Sequence, residues 1–138
     1  MSEMILISIH PRFAEAILQG QKTVEFRRRW TKREASHLVI YATSPIKQIV
    51  AVAIIEEVIE DRPTNLWKLS QAQGGGVTRS ELVNYFAGLK TGFGIRLGSV
   101  SSPRKPIDPF DRFEEFRAPQ SFRFLTTDEA KRLRRMVR

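Results

Sequence analysis

A chain of 138 residues, 41% hydrophobic and 28% charged, has the balance of one folded domain spanning residues 1–138 and is too short for two independent cores. The absence of cysteine excludes disulfides, thiolate metal sites and a thiol nucleophile, and points to a reducing, cytoplasmic setting. Lys and Arg number 23 against 15 Asp and Glu, a formal charge of +8, which puts polyanions first among partners; a positive surface that merely maintains solubility is the plain alternative.

Residues 4–9 are apolar and β-prone, and predict a core strand rather than a secretion signal, because no basic segment precedes them and the run is too short. Nowhere does the chain approach the roughly 20 apolar residues of a membrane span, so no membrane partner is expected. Pro11 opens a helix over residues 11–19 with Phe13, Ala14, Ile17 and Leu18 on one face and Gly20 as its left-handed stop. From Lys22 to Trp30 the period changes to two, with Val24, Phe26 and Arg28 on one face and Thr23, Glu25, Arg27 and Arg29 on the other: a half-buried strand with a polar face.

His37 to Ala42 reads as a third strand, closed by a turn at Ser44-Pro45. Residues 46–59 form the most β-prone stretch, long enough to bend around a barrel and ending in Glu56, Glu57, Glu60 and Asp61. A short helix is expected over residues 63–73, then a mobile break at Gly74-Gly75-Gly76 that lacks the Lys-Ser/Thr of a phosphate-binding loop. Thr78 and Glu81 make the capping box of a further helix that stops at Gly88. Phe93, Ile95 and Leu97 alternate with Gly94, Arg96 and Gly98 in a strand whose second face is nearly bare.

Residues 99–119 read as irregular, with a helical turn around residues 110–116, and a short strand follows at 121–125. Thr126 and Glu129 then cap a basic amphipathic C-terminal helix. Mixed strands and helices make this an α+β chain. Its basic residues are unevenly placed, six within 22–33 and ten within 104–138, a footprint suited to RNA or another nucleic acid.

The sharpest local feature is the run Gly20, Lys22, Glu25, Arg27, Arg28, Arg29. Charge on a strand protects an exposed edge from aggregation, but Val24 and Phe26 tie this strand to the core, so its polar face is also suited to line a cleft. Strict alternation would separate Lys22 from Glu25; a shared site requires Lys22 to sit in the turn before the strand. Arg27 suits phosphate or base contact through its planar fork, with Arg28 in support. Tyr41 and Trp30 are candidates to stack a base or to serve the core. Glu81 is explained by its capping box, yet Lys22, Glu25 and Glu81 would also suffice to activate water in an enzyme. His10 and His37 have no partner at ligand spacing, and neither a metal nor a cofactor is predicted.

The segments ISIHPRFAEAILQGQKTVEFRRR, IYATSPIKQIVAVAIIEEV, TGFGIRLG and APQSFRFL resemble the ASCH family of the PUA-like superfamily. The signature G-x-K-x-x-E-x-R is matched by Gly20, Lys22, Glu25 and Arg27. This resemblance implies a small PUA-like β-barrel of about five to six strands with flanking helices, and a cleft that takes RNA, a nucleotide or a modified nucleoside. One branch of the family resembles amidohydrolases of N4-acetylcytidine that use a Lys, a Thr three residues on and a downstream Glu. Lys22 and Glu81 match that set, but Glu25 stands at the threonine position. Three functions remain open: RNA or nucleotide binding, hydrolysis of a modified nucleoside or of RNA in the same cleft, and a purely structural partner domain. The base, the pathway and the oligomeric state are not encoded legibly.

Overall fold

The computed structural model describes residues 3–137. The elements in chain order are β1 (Met4–Ile9), α1 (Pro11–Leu18), β2 (Val24–Arg27), β3 (His37–Ala42), β4 (Gln48–Asp61), α2 (Pro63–Gln73), α3 (Arg79–Tyr85), β5 (Gly92–Ser101), α4 (Pro109–Arg112), β6 (Phe122–Phe124) and α5 (Thr127–Met136). Local chemistry sets several of these boundaries. Helix α1 starts at Pro11, behind a cap in which His10 Nδ1 accepts the Arg12 N–H at 3.2 Å, and Gly20 follows it at φ 77°, a conformation glycine adopts without Cβ strain. Both expected capping boxes, Thr78 with Glu81 and Thr126 with Glu129, are formed.

The six strands make one sheet in the order β2-β5-β4-β3-β1-β6. Strand β1 runs parallel to β3, and the other neighbours are antiparallel. Strand β4 pairs with β3 through its first half and with β5 through its second, with register shifts on either side of Ile55. Such irregularities bend a strand and raise its twist, and the sheet curls into a half-barrel. The α+β class and the five-to-six-strand barrel expected from sequence are therefore the architecture observed.

Alternation along β1 sorts side chains between two cores. Ile5, Ile7 and Ile9 pack with Ala14 and Ile17 of α1 and with Leu38 and Ile40, whereas Met4 and Leu6 pack with Val39, Ile107, Phe113, Phe116 and Leu133. A third cluster joins Val24 and Phe26 of β2 to Leu66, Leu82 and Phe86 of α2 and α3. Each fully buried Ile, Leu or Phe contributes about 2 kcal/mol by leaving water, so β2 is anchored even though, among the described residues, β5 is its sole strand neighbour.

Four expected boundaries shift. The β2 ladder is shorter than residues 22–30, because the Lys22 N–H goes to Ala16 O at 3.0 Å and the Thr23 N–H to Gly74 O at 2.8 Å. Strand β4 starts at Gln48 because the N–H groups of Ile46 and Lys47 bond to Thr43 O in the preceding turn. Strand β5 runs on to Ser101, which pairs with Val52, and the helical turn expected near 110–116 is confined to α4. Among the described residues no helix is long and apolar enough to cross a membrane.

Candidate functional site

Strand β2 is buried along its whole length, not half-buried. Val24 and Phe26 are in the third core cluster, and the charged residues interleaved with them are buried as well: Lys22 is 2% exposed, Glu25 6% and Arg27 9%. Burying charge this deeply is costly unless each group is paired and hydrogen-bonded, and here each is. Lys22 sits in the turn before β2, as a shared site requires. Its Nζ donates to Gly75 O at 2.5 Å and lies 3.5 Å from Glu25 Oε1. Glu25 Oε2 accepts from Arg27 Nε at 3.0 Å and Nη2 at 2.8 Å.

Arg27 does more than neutralise Glu25. Its Nη2 also donates to Ser8 O of β1 at 2.8 Å, and Nη1 donates to Ser121 Oγ at 3.1 Å, beside β6. The guanidinium thus bridges the β2 edge of the sheet to its opposite edge, where backbone pairing does not reach. Of its five N–H groups, four make these bonds, leaving one on Nη1 for a ligand. The contact role expected for Arg27 is reduced accordingly, and positioning of Glu25 and of the sheet edges becomes its larger task.

Above this charged floor opens a cleft of about 560 Å³ lined by Ile9, His10, Phe13, Lys22, Glu25, Phe26, Arg27, Val77, Glu81, Leu82, Asn84 and Tyr85. Pockets for small ligands span roughly 300–1,000 Å³. Phe13 and Phe26 flank Lys22, with ring centroids 5.2 and 5.3 Å from Nζ, a cation–π arrangement in a dry setting. Burial lowers the Lys22 pKa, against the opposing pull of Glu25, because the charged form loses its water. At the cleft mouth Glu81 accepts from the Thr78 N–H at 2.9 Å and pairs with Arg12 of α1. These two partners hold its carboxyl below the usual range, so Glu81 stands as a carboxylate that braces α1 against α3.

Lys22, Glu25, Arg27 and Glu81 are therefore brought to one cleft, but the expected basic character is not there. Two cations face two carboxylates, and most of the remaining wall is apolar. Arg28 turns outward and donates to the carbonyls of Tyr85 at 2.5 Å and Ala87 at 3.2 Å, capping the end of α3. Tyr41 is 3% exposed and packs in the second core against Phe116, with ring centroids 5.8 Å apart; it does not line the cleft. Trp30 packs against Phe122 with ring centroids 4.4 Å apart and planes tilted by 47°, again away from it. Thr23, one residue from Lys22, sends its hydroxyl to Gln73 O and supplies no hydroxyl to the cleft. Among the described residues no three His, Asp or Glu side chains gather as metal ligands do.

Other parts of the site were not recognised from sequence. Phe13 reads as core from its helical spacing, yet its ring covers the Lys22 ammonium. Gly74-Gly75-Gly76 reads as a mobile break, whereas Gly75 is packed in: a Cβ there would fall on Ser70 Oγ and lie 2.9 Å from Phe26. Three glycines in a row are the available signal, because glycine lets backbone approach closely enough for the Gly75 carbonyl to meet Lys22. Tyr85, 40% exposed, adds an aromatic ring to the cleft lining.

Residues 7–89 match the sequence profile of the ASCH domain. A protein named ASCH domain-containing ribonuclease, from Zymomonas mobilis subsp. mobilis, is 33% identical over 133 residues, which cover 93% of this chain and 88% of that protein. The crystal structure of ASCH from Zymomonas mobilis superposes with a TM-score of 0.88 at 29% identity, covering 98% of this chain and 96% of its own. A point mutant of that protein superposes with a TM-score of 0.87 at 28% identity, covering 98% and 99%.

Proposed function

Because the chain belongs to the ASCH domain family, we propose that it is an RNA-directed protein whose cleft takes up one unpaired nucleotide of an RNA strand. The observation that carries this reading is the Lys22–Glu25–Arg27 group, held by buried hydrogen bonds at the floor of an otherwise apolar, nucleotide-sized hollow. RNA is read by sequence chiefly where its bases are unstacked and can be splayed into such hollows. The exposed ring of Tyr85 stacks the base, worth about 1–3 kcal/mol. The uncommitted N–H groups of Lys22 and Arg27 meet the phosphate or an acceptor on the base edge. The name of the Zymomonas mobilis relative supports RNA as the polymer.

The proximity of Lys22 to Glu25 favours a second reading, in which the bound strand is cut. Glu25 Oε1 accepts the proton of the ribose 2′-hydroxyl. The 2′-oxygen bonds to phosphorus as the bond from phosphorus to the departing 5′-oxygen breaks, and the Lys22 ammonium returns a proton to that oxygen. Burial makes this ammonium a stronger acid than an exposed lysine, which suits it to the donor's task.

Binding of a nucleoside 3′-monophosphate and of short single-stranded RNA, compared with the Lys22→Ala variant, tests the first reading. Saturable binding weakened about tenfold or more in the variant supports it, and equal binding removes it. Gel analysis of labelled RNA tests the second. Cleavage that ends in a cyclic phosphate and stops when the attacked nucleotide is 2′-deoxy supports it; an intact strand removes it.

A further inference from the structure

Most of the chain's positive charge lies outside the cleft, whose lining holds two cations and two carboxylates. Among the described residues Arg104, Lys105, Arg112 and Arg135 form no ion pair with a carboxylate. They converge on a groove of about 520 Å³ between the 103–112 segment and α5, which also contains Asp108 and Asp111 and shares no lining residue with the cleft. Asp108 is occupied locally, since its Oδ1 accepts the Phe110 N–H at 3.0 Å.

The groove wall is held in place. Ile107 is 5% exposed and exchanges backbone hydrogen bonds with Ile49 at 2.8 and 2.9 Å, while Pro103, Pro106 and Pro109 restrict the chain on either side. Arg104 and Lys105 are thus displayed from a short, tethered segment. On α4, Phe110 precedes Asp111 and Arg112 of the groove wall in sequence, lies outside the groove's own lining and is 52% exposed. Its ring stands edge-on to Tyr41 and Phe116, at 6.4 and 5.1 Å, which hold it while leaving a face to solvent. Unpaired cations, with a supported, exposed aromatic ring on the same short helix as one of them, match the chemistry of single-stranded nucleic acid, phosphates on the cations and a base on the ring.

We infer that the groove formed by Arg104, Lys105, Arg112 and Arg135, together with Phe110 of α4, binds the sugar–phosphate backbone of the RNA whose nucleotide the cleft receives. The inference rests on the RNA reading of the cleft and adds a separate electrostatic site to it. Phosphate neutralisation at this groove supplies the salt-dependent part of the affinity, which the balanced cleft does not.

The test uses the full chain and an unstructured RNA of about 20 nucleotides, titrated by fluorescence anisotropy at several salt concentrations. The probe for the cleft is a nucleoside 3′-monophosphate. In the combined Arg104→Ala, Lys105→Ala, Arg112→Ala, Arg135→Ala variant, the slope of log K against log salt flattens by about 3, and mononucleotide binding is unchanged. Phe110→Ala weakens RNA binding about tenfold with the slope preserved. All five side chains are exposed, so an unaltered circular dichroism spectrum is expected and confirms folding. An unchanged slope and affinity in the charge variant overturns the inference. Loss of mononucleotide binding in Lys22→Ala with an intact salt slope separates the cleft from the groove. A flat salt response in the wild-type chain overturns the groove even where the cleft binds.

Discussion

Arg27 Nη2 donates to the Ser8 carbonyl at 2.8 Å, so a side chain from β2, at one edge of the curled sheet, is fastened to β1 near the other. The same guanidinium holds Glu25 with two further bonds. The site and the closure of the half-barrel are therefore one network. Arg27→Ala would leave a buried carboxylate short of two donors and is expected to cost about 3 kcal/mol or more, read from urea unfolding midpoints. Arg27→Lys is expected to recover little, because one ammonium cannot reproduce four directed bonds. A loss below about 1 kcal/mol would show that the network is not tight.

This closure also marks what sequence can and cannot reveal. Pro11, Gly20 and the two capping boxes declare their helix boundaries because their chemistry is local. Lys22 beside Glu25 was a conditional reading that only the turn geometry could settle. The bonds from Arg27 to Ser8 and Ser121 join residues 19 and 94 positions apart, and no period reports such a pairing. Tyr41 shows a related limit: alternation says that its side chain lies on one face of β3, but not which layer covers that face. Glu81, more than fifty residues after Arg27, groups with Lys22 and Glu25 in the sequence reading, but its pairing with Arg12 of α1 is again a long-range contact that no period reports.

The pH response of Lys22 is a second test. Burial lowers its pKa from the ordinary 10.5, so between the folded and unfolded values the unfolded chain binds more protons, and stability rises with pH. Compared with Lys22→Met, in which other titrations cancel, the wild-type chain is expected to gain stability as pH rises towards 10.5. Denaturant melts of both proteins across the alkaline range measure this. A relative loss would mean that the attraction of Glu25 outweighs burial.

The glycine loop gives a steric test. Gly75→Ala places a methyl against Ser70 and Phe26, and is expected to cost about 1–3 kcal/mol and to weaken nucleotide binding by shifting the carbonyl that holds Lys22. Gly88→Ala meets open space at φ 85°, so it is expected to cost about 1–2 kcal/mol from backbone strain alone and to leave binding unchanged. Calorimetric titration of both variants separates the two effects.

Arg28 tests whether exposed charge near the signature serves the ligand. Its bonds to Tyr85 O and Ala87 O place a cation at the negative end of α3, a contribution of less than about 1 kcal/mol. Arg28→Ala should therefore lower the melting temperature slightly and leave mononucleotide affinity as it is. A tenfold loss of affinity would instead make Arg28 a ligand residue.

The most direct measurement of the central proposal is a titration of isotope-labelled protein with a nucleoside 3′-monophosphate, followed amide by amide in nuclear magnetic resonance spectra. Saturable shifts are expected at residues 22–27, 75–77 and 82–85, around the cleft, and are expected to vanish in Lys22→Ala. Shifts that saturate elsewhere while these amides stay still would contradict the assignment of the cleft as the nucleotide site.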